Sequence, residues 1–76
     1  MRRSTEAGGG WVIHSEDAAD GYVRTWSERH GEAMPVARAD RTWEHADIRR
    51  ESIARRTRDD DWAGYSAEMR AAGVTP

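Results

Sequence analysis

The sequence predicts a mostly α class: a small three-helix domain with a flexible N-terminal tail and a short extended or β segment near residues 11–14. Three observations predict it. Apolar residues recur at spacings of three and four in three separate stretches, the pattern of one buried helix face. Each stretch opens on a capping residue with acids nearby, and two of them close on a glycine. Only Trp11-Val12-Ile13 forms a β-prone run, and it has no obvious pairing partner.

Residues 1–10 form the expected tail, ending in Gly8-Gly9-Gly10, where backbone freedom opposes order. Residues 11–76 form the single domain. Ser15 is suited to cap the first helix, with Glu16 and Asp17 at the positive end of its dipole. Ala19, Tyr22, Val23, Trp26 and His30 then share one face, and Gly31 is the natural stop. Residues 31–42 are expected to form a loop, because Pro35 cannot continue a helix and restricts the residue before it. Met34 and Val36 are expected to plug the core from that loop.

A second helix runs from a cap at Thr42 or Asp40 to about Arg58. Trp43, Ala46, Ile53, Ala54 and Thr57 fall on one face, interrupted by Arg50. Ile48 lies on the other side, beside Ser52 and Arg55. Asp59-Asp60-Asp61 supplies the cap and first-turn acids of a third helix, whose stripe is Trp62, Tyr65, Met69 and Ala72. Gly73 ends it.

Composition narrows the function. The chain has 76 residues, a net charge of −2, no Cys, and twelve basic residues that are all Arg. No disulfide or thiolate metal cage is possible, which fits a reducing, cytoplasmic setting. No apolar run approaches the ~18 residues of a membrane span. The narrow, Arg- and Ala-rich alphabet suggests a GC-rich bacterial or phage genome. Leu and Phe are absent, and the seven Ile and Val positions make a thin aliphatic core. Self-association or a partner would compensate, and a chain that folds only on its target is a further option.

Catalysis is not expected. The chain contains no GxSxG turn, no Cys and no Lys to mark a nucleophile. His14, His30 and His45 are spread along the chain without metal-ligand spacing, and the triple Asp lacks the alternation of a calcium loop. Neither a metal nor a cofactor is expected.

Two function classes remain. The first is a non-catalytic protein–protein interaction module (an adaptor, inhibitor or assembly subunit) that docks on a larger protein or on itself. Its anchors would be Trp11, Trp43 and Ile48, ringed by Arg49, Arg55 and Arg56, since Trp and Arg carry most interface energy. The alternative is a small nucleic-acid-binding regulator. Residues 38–58 hold seven Arg against four acids, and Arg38, Arg41, Arg49, Arg55, Arg56 and Arg58 would fork onto phosphate oxygens. Against it, the helix following this cluster opens on three Asp, which phosphates would repel. Salt separates the two classes, because phosphate binding weakens steeply with ionic strength.

Overall fold

The computed structural model describes residues 1–34, 38–57 and 59–76. It replaces the expected three-helix bundle with an α+β fold: an antiparallel five-stranded sheet followed by two helices. The strands are β1 (Arg2–Glu6), β2 (Val12–Asp17), β3 (Val23–Arg29), β4 (Glu32–Ala33) and β5 (Arg38–Asp40). The helices are α1 (Trp43–Thr57) and α2 (Trp62–Ala71). The sheet runs β1-β2-β3, and the far edge of β3 is shared by β5 beside Val23–Thr25 and β4 beside Glu28–Arg29.

The expected first helix is therefore a β-hairpin. Its turn is a three-residue loop in which Ala18 N–H donates to the Tyr22 carbonyl at 2.8 Å. Gly21 takes the left-handed position such a loop requires, at φ 86°. The expected helix stop at Gly31 is a second hairpin turn: His30 and Gly31, at φ 56° and 80°, join Arg29 to its partner Glu32. Two consecutive left-handed residues are the geometry that matches the twist of a two-residue hairpin. The expected tail is also ordered otherwise. Residues 2–6 pair with β2 from Arg2↔Glu16 to Glu6↔Val12, and the three glycines make the connecting turn.

Alternation along β2 and β3 divides the sheet into two faces. Ile13 and Ser15, with Val23 and Thr25, turn toward α1 and are buried. Ser15 and Thr25 are direct cross-strand partners whose hydroxyls hydrogen-bond at 2.9 Å. Val12, His14, Glu16, Arg24 and Trp26 fall on the opposite face and are half-buried.

The helices follow the sequence more closely. Thr42 caps α1, its hydroxyl accepting from His45 N–H at 3.2 Å. Asp61 caps α2, accepting from Gly64 N–H at 3.0 Å. Beyond α2, Gly73 stands at φ 76°, and Val74 N–H returns to the Met69 carbonyl at 2.8 Å. This closes the helix with Val74 and Met69 both buried. Met34 does not plug the core but is half exposed. Pro35 and Val36 lie outside the described residues.

Candidate docking groove

Where the sheet, the end of α1 and the start of α2 meet, an open cavity of about 500 Å³ remains. Trp11 and Ser27 line it from the sheet, Met34 from just beyond β4, Ile53 and Thr57 from α1, and Trp62 and Tyr65 from α2. Local chemistry places each of these. The glycine turn delivers Trp11 to the start of β2. The cap at Asp61 sets the first turn of α2, so that Trp62 and Tyr65 stand one turn apart on one side of that helix. Their rings meet edge to face, with centroids 5.8 Å apart and planes at 78°.

Several of the polar atoms around the groove are already engaged within the protein. The Thr57 hydroxyl donates to the Ile53 carbonyl at 2.6 Å, and the Tyr65 hydroxyl accepts from Arg49 at 2.7 Å. Trp62 Nε1 donates to Asp60 at 2.6 Å. Rings, a thioether and aliphatic side chains are left facing outward. Among the described residues, Met34 and Trp62 are two of the three exposed large apolar side chains, the third being Met1.

The sequence-predicted anchors are not gathered in one place. Trp11 lines the groove, with the Arg29 guanidinium 4.7 Å from its ring centroid. Trp43 is tied elsewhere: its Nε1 donates to Asp17 at 2.9 Å, and Arg3 stacks 4.6 Å from its ring. Ile48 is half-buried in the middle of α1. The sequence pattern puts Trp62 and Tyr65 in the apolar stripe of a helix and has Met34 plug the core from a loop. Nothing in their spacing distinguishes a groove wall from a core stripe.

The arginines named for either function are largely committed to partners. Arg49 is buried and forms a paired fork on Asp40, with both contacts at 2.9 Å, and it donates to the Thr75 carbonyl at 2.6 Å. Burial pulls against its charge. Hydrogen bonds and attraction from Asp40 and Tyr65 outweigh that, so its pKa rises above the ordinary value. Arg55 pairs with Glu68, and Arg56 pairs with both Glu68 and Asp61 at 3.2 Å. Arg38 donates to the Pro76 carbonyl at 2.8 Å, and Arg41 lies 6.0 Å from the Tyr22 ring centroid. Arg58 lies outside the described residues.

A second constellation crosses the open face of the sheet. Ser4 Oγ lies 2.6 Å from His14 Nδ1, and His14 Nε2 lies 3.5 Å from the Glu28 carboxylate. The His14 ring is tilted against Trp26, with centroids 5.3 Å apart. A hydroxyl, an imidazole and a carboxylate in this order resemble a nucleophile, its base and an orienting acid. The trio sits on strands β1, β2 and β3, with Ser4 exposed. Cross-strand pairing of Ser4 with His14 accounts for the contact. Among the described residues no group of three or more His, Asp or Glu is placed to hold a metal ion, and no helix is long and apolar enough to cross a membrane. No protein family, curated protein or solved structure matches the chain.

Proposed function

We propose that the chain is a protein-interaction module that takes an apolar segment of a partner polypeptide in the groove between Trp11, Met34 and Trp62. One observation carries this reading. A chain short of large aliphatic residues leaves two of its bulkiest apolar side chains, Met34 and Trp62, exposed on the rim of one apolar concavity. Apolar surface concentrated around a groove marks a contact site, whereas isolated apolar residues do not. The nucleic-acid alternative requires phosphate to displace Glu68 and Asp61 from Arg55 and Arg56, so the geometry favours it less.

The test is to pan a random peptide library against the folded chain and against a Trp11→Ala/Trp62→Ala variant that retains its amide dispersion. Enriched peptides should share a large apolar anchor and bind the variant more weakly by about 2 kcal/mol or more. The affinity of those whose anchors are all uncharged should change little between low and moderate salt. Enrichment without an apolar anchor, or binding indifferent to both substitutions, would overturn the reading.

A further inference from the structure

The four tryptophans are not equivalent. Three of them carry an arginine of the same chain: Arg2 lies 5.1 Å from the Trp26 ring, Arg3 lies 4.6 Å from Trp43, and Arg29 lies 4.7 Å from Trp11. Among the described residues Trp62 has no such cation, and it is also the most exposed of the four, at 45 %. Its indole N–H holds the Asp60 carboxylate at the ring edge, with Asp59 and Asp61 on either side in the chain. A guanidinium stacks on a tryptophan face through the ring quadrupole and forks onto a neighbouring carboxylate. Trp62 and Asp60 present both surfaces together, on the rim of a groove suited to the aliphatic stem of the same side chain.

We infer that the Trp62–Asp60 corner receives an arginine side chain of the partner polypeptide. This rests on the groove being a docking site and names the residue that enters it. The guanidinium lies over the Trp62 ring with Asp60 as its counter-ion, and an apolar neighbour of that arginine packs against Met34 and Trp11. The acid run is then more than a helix cap. Asp61 caps α2 and pairs with Arg56, whereas Asp60 holds the indole and faces the partner.

The experiment compares two peptides that differ in one atom group: a leucine–arginine–leucine core and its citrulline twin, which keeps the shape and loses the charge. Each is titrated into the isotope-labelled chain while the four indole N–H signals are followed. The arginine peptide should bind about tenfold more tightly than its twin at low salt and should move the Trp62 indole most. Trp62→Leu, which keeps apolar bulk, should erase that ratio while leaving citrulline-peptide affinity nearly unchanged, and Asp60→Asn should reduce it. Equal binding of the twins overturns the inference and leaves the apolar groove standing. Binding of neither twin, with apolar peptides still enriched by panning, also overturns it alone. An empty library overturns both readings. A preference that emerges only in Arg58→Gln would mean the chain's own arginine holds the ring, which likewise overturns the inference.

Discussion

The two halves of α1 rest on contrasting interfaces. Toward its N-terminal half, the contact with the sheet is polar: Arg49 on Asp40, Arg50 reaching Thr5 at 2.9 Å, and the Ser15–Thr25 hydroxyl pair beneath. Toward its C-terminal end, Ile53 and Thr57 face rings and a thioether across an open cavity. The polar region meets most of its needs internally: Arg49, Thr5 and the two hydroxyls have protein partners, and of the Arg50 guanidinium only Nη1 is buried without one. The apolar region instead leaves Met34 and Trp62 exposed on the rim of the cavity. A conspicuous arginine cluster can therefore be scaffold, while an inconspicuous stripe can be surface.

The largest expected effect tests the polar half. Asp40→Ala leaves the Arg49 guanidinium buried without its counter-ion, and breaking such a pair costs about 3–5 kcal/mol. Against a total stability of roughly 5–15 kcal/mol, urea unfolding should show a midpoint far below that of the parent, or no folded baseline. A loss under about 1 kcal/mol would mean that water reaches Arg49, and the contrast between the two halves would fail.

A smaller effect sharpens the same contrast. Thr25→Val strands the buried Ser15 hydroxyl and should cost about 1–3 kcal/mol, whereas Ser15→Ala with Thr25→Val removes both partners and should cost less than the single change. If the double variant were the worse one, shape and not hydrogen bonding would hold these strands together.

That hydroxyl pair also explains why the sheet was hard to read from the sequence. The buried side of β2 and β3 alternates Ile13 and Ser15 against Val23 and Thr25, so half of its inward positions are polar and the period of two vanishes from the hydropathy. Meanwhile Tyr22, Val23 and Trp26 fall at helical spacing although Trp26 lies on the other face. The turn chemistry was present in Asp20-Gly21 and His30-Gly31, but a glycine serves a hairpin or a helix end equally well. The helices were legible because Thr42, Asp61 and Gly73 cap them locally and their apolar stripes need no distant partner. Trp11 was legible as a residue outside the stripes, at the edge of an element, and it lines the groove. Trp62 was not, because whether a stripe is covered depends on how α2 meets the sheet.

Trp62→Ala tests the apolar half. The residue is exposed and its edge contact with Tyr65 is the main packing lost, so stability should fall by only about 1 kcal/mol. Capture of anchor-bearing peptides should nevertheless fall at least tenfold. If the variant unfolded, Trp62 would belong to the core and the groove would be a packing defect.

The smallest effect concerns the joint between the halves. Glu68 on α2 holds Arg55 and Arg56 on α1, fixing the wall that carries Trp62 and Tyr65. Burial raises its pKa, but attraction to Arg55 and hydrogen bonds from Arg55 and Arg56 outweigh that and lower it below the ordinary 4.5. A lowered carboxyl contributes stability above its unfolded value and loses it as pH falls through the folded one. The stability gap between the parent and Glu68→Gln should thus be constant near neutrality, at about 1 kcal/mol or less for so accessible a pair, and should close as pH drops below 4.5. Affinity for the citrulline peptide, which needs no counter-ion, should decline over the same window, because an unpinned α2 no longer holds its two rings against the sheet. Loss of affinity at acid pH that persists unchanged in Glu68→Gln would place the titrating group elsewhere and separate the groove from the ion pairs behind it.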